Sequence, residues 1–430
     1  MCRRHYALLF LPPLAAMSLL EHLQCVPDPR VQRTRRHDLI DLLAIALCAT
    51  VGGADNWVEV AQFGQAHRDW FARFLRLPSG IASHDTFARV FRRLNPEALE
   101  RACLAWLRAA SGRVQGVVAI DGKALRGAQA PGSGQALTMV SAWAADMQML
   151  LGQRRVDGKS NEITAIPHLL DLLDVQGCTV TIDAMGCQKA IARQIVEKGA
   201  DYVLSLKGNH RHMHEVCKKH FAQASPTAPE QVHRDAHSGH GRTEQRQYWV
   251  SAVPAPLERA ANAWEQLECI VRVVRTRQVG SKEASEHTSY YVSSLPAHTP
   301  AKVLAHSIRA HWSVENHLHW SLDVAFREDE CRTQKGHGPH NQALLRRMAL
   351  QMLKCEGSLK VGLQSKRRRA GWGLACLARA IGVDIWMRSP CAFAFSARPL
   401  PSSLQCVNTG PGFRAVCARA AGAAPGWRRP

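Results

Sequence analysis

The sequence predicts an α/β protein, a mixed sheet preceded by a small all-α region. Three observations predict it. From about residue 38 to 110, apolar residues recur at three- and four-residue spacing, the period of amphipathic helices. After Gly116, three short apolar runs of strand length follow one another, and then strand-like and helical stretches alternate. That order describes a mixed sheet whose later strands are joined by helical crossovers. The chain of 430 residues exceeds one ordinary domain, and at 46% hydrophobic it can bury a sizeable core, which excludes a disordered or fibrous protein.

In the first region, Leu39, Leu42, Leu43, Ala46 and Leu47 give the opening helix one apolar stripe. A second helix spans 57–74 and stops before Leu77-Pro78-Ser79-Gly80. Ser83 caps a third carrying Phe87, Val90 and Phe91, and Asn95-Pro96 opens a fourth with Leu99, Cys103 and Leu107 inward. Arg33, Arg35 and Arg36 at the entrance suit a DNA-binding bundle and equally a plain helical support.

Strands are expected at 117–120, 137–145 and 149–156, then a helix over 163–173 and a strand at 179–182. A helix over 187–198 and a strand at 202–206 complete this part. Residues 208–285 are polar, His-rich and turn-rich, with strand-like pieces at 247–250 and 269–274, and read as an insertion. A strand at 288–293 precedes one long helix over 300–326 and another over 341–353.

Lys and Arg number 55 against 35 Asp and Glu, a net charge of +20 with a pI near 9.8. Such an excess draws polyanions, and nucleic acid is the commonest partner of a large basic protein. Residues 373–430 hold seven arginines and a single acid, Asp384, yet the basic excess persists without them. The 14 cysteines show no C-x-x-C pair and no zinc-finger spacing, so they read as buried, reduced thiols of a cytoplasmic protein. His210, His212, His214, His233, His237 and His240 likewise lack Cys₂His₂ spacing and read as facing solvent or DNA. The first 16 residues mimic a secretory signal, but nothing downstream supports export and no segment approaches the ~18 apolar residues of a membrane span. No phosphate-binding glycine motif argues for ATP or dinucleotide chemistry.

Two expected strands end in an acid, Asp121 in A-I-D-G and Asp183 in T-I-D-A-M-G. Taken singly, each fits a turn former or helix cap. Together on neighbouring strands, at the rim where α/β sheets gather ligands, they fit a divalent-metal site. A third acid, Glu315, lies in a stripe of His311, Glu315, His319 and Asp323 at four-residue spacing, beside the apolar Val314, Leu318 and Leu322. Trp312 and Trp320 flank the stripe, which places its polar groups along a packed edge rather than in open solvent.

These blocks resemble bacterial insertion-sequence transposases of the DDE class, marked by A-I-D-G-K, T-I-D-A-M-G-C-Q and H-W-x-V-E-N-x-L-H-W-x-L-D-V, here at 119–123, 181–188 and 311–324. Further matches are K-S-N-E-I at 159–163, L-K-G-N at 206–209 and Y-Y-V-S-S-L at 290–295. The N-terminal helices resemble the family's associated domain through D-P-R at 28–30, G-A-D-N-W at 53–57 and S-H-D-T-F at 83–87. The resemblance covers roughly 17–372. It implies an RNase H-like catalytic core with Asp121, Asp183 and Glu315 as catalytic metal ligands for Mg²⁺, with Mn²⁺ as substitute. It also implies DNA partners, namely transposon terminal inverted repeats and target DNA, and a homodimer in the DNA complex. The expected location is the cytoplasm, on the nucleoid.

The implied organisation is an upstream extension at 1–16, a helical transposase-associated domain at 17–112 and the RNase H-like core at 113–207 and 286–356. The β-rich insertion takes 208–285, a basic segment 357–372, and an atypical, disordered tail 373–430, as from a frameshift or read-through. Where the wider superfamily places a Tyr and an Arg before the Glu and a Lys after it, this chain has Ile308, His311 and Leu322. Arg309, His311, His319, Arg327 and the run Lys366, Arg367, Arg368 and Arg369 remain as candidate DNA contacts. The activity expected is cleavage at transposon ends and strand transfer. The rival readings are a nuclease that only hydrolyses and a catalytically inactive DNA-binding remnant.

Overall fold

A computed structural model of the chain describes residues 19–129, 136–156, 162–223, 231–239 and 241–382. The extension expected at 1–16 and the tail beyond 382 lie outside them. The N-terminal region comprises α1 (Leu19–Gln24), α2 (Leu39–Val51), α3 (Trp57–Ala66), α4 (Arg68–Phe71), α5 (His84–Arg93) and α6 (Pro96–Ser111). Asn56 accepts from the Glu59 amide, and Asn95 accepts from those of Glu97 and Ala98 just ahead of Pro96, so these side chains satisfy amides that the first helical turns leave free. Ser83 precedes α5 without capping it; its hydroxyl meets Thr86 Oγ1 at 3.2 Å. The helix expected over 57–74 breaks at His67 into α3 and α4. Instead of one apolar stripe, α2 is buried on every side, Asp41 and Thr50 included.

A nine-stranded sheet follows. Its first half holds β1 (Val117–Gln129), β2 (Ala136–Ala144), β3 (Met149–Arg155), β4 (Thr179–Ile182) and β5 (Asp201–Leu206), with α7 (Glu162–Leu172) and α8 (Lys189–Glu197) as crossovers. The order is β3-β2-β1-β4-β5, antiparallel through β1 and parallel from β1 to β5, the arrangement of an RNase H-like core. Ile166, Leu169 and Leu170 of α7 and Ile191 and Ile195 of α8 bury one sheet face with Ile120, Val180, Ile182 and Leu204.

The register positions the acids. The β1–β4 ladder ends at the pair Ile120–Ile182, but β1 runs on to Gln129 against β2. Asp121 therefore lies within a strand rather than at its end as the sequence predicts, and the end of β4 is what opens the sheet beside it.

The region 208–285, expected as an insertion, adds strands to the same sheet. After α9 (Arg211–Gln223) come β6 (Val232–Gly239), β7 (Arg242–Ala252), the short α10 (Glu258–Ala261) and β8 (Cys269–Val279). They continue the same sheet through β9 (Ser285–Ser293), which pairs with both β5 and β8. The sequence reading misses α9, whose buried Met213, Cys217 and Phe221 stand four residues apart beneath a His-rich exterior.

The expected helix over 300–326 is three pieces: α11 (Ala301–His311), a π-helical segment Val314–His319 and α12 (Trp320–Phe326). Then come α13 (Gly338–Cys355), α14 (Leu363–Trp372) and α15 (Leu374–Ala380). Helix α13 packs on α2, α5 and α6 as well as on β3 and α12, so the helical region and the sheet region share one interior. The tail expected from 373 starts too early, because α15 is ordered and buries Leu377, Ala378 and Ala380.

Candidate active site

Asp183 leaves β4 in a tight turn, its Oδ1 accepting from the Met185 and Gly186 amides at 3.1 and 3.3 Å. It is thus a turn former and an inward acid at once. Asp121 stands beside it on β1, half-buried. Burial and then the Asp183 charge push the Asp121 carboxyl up to about 7, with smaller contributions from Glu162 and Glu315. Glu315, exposed on the π segment, acts on Asp121 only through its charge. Glu162 is the fourth acid, and the sequence reading assigns it no role. Burial and Asp183 also raise its carboxyl above the ordinary range.

The stripe on the helix faces the sheet. His311 Nδ1 meets Thr181 Oγ1 on β4 at 3.2 Å, His319 Nδ1 lies 3.6 Å from Asp121 Oδ2, and Asp323 accepts from buried Lys123 on β1 at 2.6 Å. In an uninterrupted α-helix, residues at four-residue spacing drift by about 40° per step and would leave the sheet. The i→i+5 turns of the π segment hold more residues per turn and reverse that drift where Glu315 and His319 sit. The packed edge is real, but Trp312 and Trp320 do not make it. They are 48% and 62% exposed, while Val314, Leu318 and Leu322 fill the interior.

Burial pushes the His319 imidazole down to about 3, helped by Arg347 and Lys123, so the ring beside Asp121 is neutral. His311 is also lowered by burial. Both line the site, His319 buried and His311 partly so. Ile308 and Leu322, at the superfamily's Tyr and Lys positions, are buried and cannot reach a phosphate.

The remaining DNA candidates divide. Arg309 is exposed on α11, and exposed Arg327 pairs with Glu330. Arg368 and Arg369 are exposed on α14. Arg367 is buried: it donates to the carbonyls of Thr50, Ala54 and Ala325, pairs with Asp55 at 2.7 Å, and lies over the Phe326 ring. Lys366 turns inward to the carbonyls of Leu353 and Glu356. Neither is available to DNA. A basic run in sequence mixes inward and outward residues on a helix, and only the outward pair stays a candidate.

The donor set suits a hard divalent cation. The acids are carboxylates, and burial and the neighbouring Asp183 charge raise Asp121, a cost that positive charge would offset. Among the described residues, no three His, Cys, Asp or Glu stand close enough to enclose an ion. His210 is hydrogen-bonded to the Cys187 carbonyl, and His240 lies outside the described residues. The ten described cysteines are unpaired, and among the described residues no helix is long and apolar enough to cross a membrane.

Residues 112–352 match the Transposase DDE domain family, and 20–107 match its associated domain, DDE_Tnp_1-associated. The chain belongs to the DDE transposase family. It is 36% identical over 361 residues to putative transposase YncI of Escherichia coli O157:H7, covering 83% of this chain and 92% of that one. It is 35% identical to the H repeat-associated putative transposase YhhI of Escherichia coli K12, over 85% and 97% of the two chains. An uncharacterized protein in the dhlA 3′ region of Xanthobacter autotrophicus is 42% identical over 275 residues, 63% of this chain and 92% of that one.

Proposed function

We propose that the chain cleaves DNA at transposon ends and joins the freed 3′ ends to target DNA, with Asp121, Asp183 and Glu315 holding Mg²⁺, or Mn²⁺ in its place. The observation that carries this reading is the pair Asp121 and Asp183 at the end of the β1–β4 ladder, crossed by the helix bearing Glu315. Bound divalent cations would neutralise charge on the scissile phosphodiester and on its attacking and leaving oxygens.

The chain's own groups set the geometry. The Met185 and Gly186 amides fix the Asp183 carboxylate, and the His319 ring limits where Asp121 can turn. Being neutral, His319 does not compete with a cation for Asp121. Contacts from His311 to Thr181 and from Asp323 to Lys123 pin the helix at both ends, so Glu315 projects from a fixed base. Exposed Arg309, Arg368 and Arg369 are the DNA phosphate contacts of this reading. A dimer holding both transposon ends, acting on the nucleoid, completes it.

The test is cleavage and joining by the full chain on DNA carrying its flanking terminal repeats, in Mg²⁺, beside Asp183→Ala. Joined products from the intact chain and none from the variant are expected. Cleavage without joining would leave a hydrolytic nuclease. DNA binding without cleavage by either protein would leave an inactive remnant.

A further inference from the structure

Three large apolar side chains lie outward where α12 meets α14. Trp320 and Val324, at four-residue spacing on α12, are 62% and 44% exposed, and Trp372, the last residue of α14, is 80% exposed. The two helices pack together, and Val324 and Trp372 line one open groove of about 320 Å³ with Gly53, Arg327, Gln364 and Arg368. Trp320, one turn before Val324, carries the apolar strip back towards the π segment that bears Glu315.

A single exposed tryptophan needs no explanation, because folded surfaces are largely apolar. Two features set Trp372 apart. Its base is rigid: Ala370 is buried, Arg367 is tied to the end of α2, and Gly371 lies so close to the Gly52 carbonyl that a Cβ there would collide with it. The rim around it is also cationic. Arg327 and Arg368 are exposed, while the acids nearby are engaged, Asp55 with Arg367 and Glu330 with Arg327. The Arg327–Glu330 pair stands in water, where an ion pair contributes little, and a phosphate can take its place. An apolar protein partner would have to desolvate these guanidinium groups, whereas a nucleic-acid strand brings its own phosphates to them.

A rigid ring between arginines holds unpaired bases: the ring stacks a base and the guanidinium groups take the flanking phosphates. Bases within a duplex already stack on each other and cannot use such a ring. We propose that this groove binds single-stranded DNA, with bases stacked on Trp372 and Trp320 and the backbone held by Arg327 and Arg368. The inference rests on the reading of the chain as a protein that acts on DNA, and adds to it a site for unpaired nucleotides.

The experiment is fluorescence anisotropy of labelled oligothymidylate and of a blunt duplex of the same length, with the full chain, Trp372→Ala, Trp372→Phe and Arg368→Ala. Trp372→Ala should weaken oligothymidylate binding at least about fivefold and leave duplex binding within about twofold. Trp372→Phe, which keeps a ring face, should restore most of the single-strand affinity. Arg368→Ala, which removes a charge, should weaken both ligands. Oligothymidylate should quench the intrinsic fluorescence of the intact chain more than that of Trp372→Ala. If Trp372→Ala loses single strand and duplex alike, or neither, the ring is no base platform and the inference fails. It fails too if the intact chain sediments as a dimer that Trp372→Ala dissociates, since the groove is then an interface between copies. An intact chain that binds duplex but no single strand overturns the inference and leaves the DNA reading standing. One that binds neither overturns the DNA reading itself.

Discussion

Glu100 and Asp121 are two acids pushed up to about 7 for different reasons. Glu100 is sealed in the interior, where burial chiefly lifts it, with a small push from Glu97, while the Gln153 amide donating to its Oε1 at 2.8 Å, Arg154 and Arg347 pull it down. Asp121 is lifted by burial and by its acidic neighbours. Between the ordinary 4.5 and about 7, the folded chain keeps a proton on Glu100 that the unfolded chain has lost. Stability from this group is therefore full below the lower value and is lost as pH rises through the upper one. Glu100→Gln cannot ionise and escapes that loss. Between about pH 5 and 8 it should gain on the order of 2–3 kcal/mol relative to the intact chain, read by urea unfolding in EDTA. Parallel pH profiles for the two proteins would remove Glu100 as the source.

At the scale of elements, much of the plan was legible. Asn95-Pro96 marks the start of α6, and Thr179-Val180-Thr181-Ile182 before Asp183 is β4 itself. The π segment was not legible, because a few i→i+5 turns leave the apolar period of a helix intact. Nor was the fate of the basic run. Composition assigns such residues to solvent or DNA, yet Arg367 finds its acceptors at the C-terminal end of α2, more than 300 positions away in sequence. There it satisfies carbonyls that the helix end leaves free and links α2 to α12 through the Ala325 carbonyl. Removing it takes the donor from Asp55 Oδ1 and one donor from each of those carbonyls. Arg367→Ala should cost about 3–5 kcal/mol in urea unfolding. Arg368→Ala, on the exposed side of the same turn, should stay within about 0.5 kcal/mol. Equal effects would mean that the inward path of Arg367 carries no stability.

For the whole molecule, a net charge of +20 overstates the footprint available to DNA. Arg347 is sealed against Glu328 at 2.7 Å, Lys123 is shared by Asp323 and Asp329, and Arg367 is spent on α2. These charges hold the helix bearing Glu315 and the shared interior together and release no counterions when DNA arrives. The outward residues do, and each phosphate neutralised steepens the fall of log affinity with log salt by about 0.9. Terminal-repeat DNA should therefore bind with a clear negative slope. Arg368→Ala and Arg369→Ala should each reduce its magnitude by about 1, with similar losses on unrelated DNA. A variant of Arg367 that still folds should leave the slope unchanged, because its charge never faces the solvent. Fluorescence anisotropy across a salt series reads all of these. A slope near zero for the intact chain would remove the basic surface as the DNA-holding element. A slope that falls with Arg367 but not with Arg368 would reverse the assignment of inward and outward residues on α14.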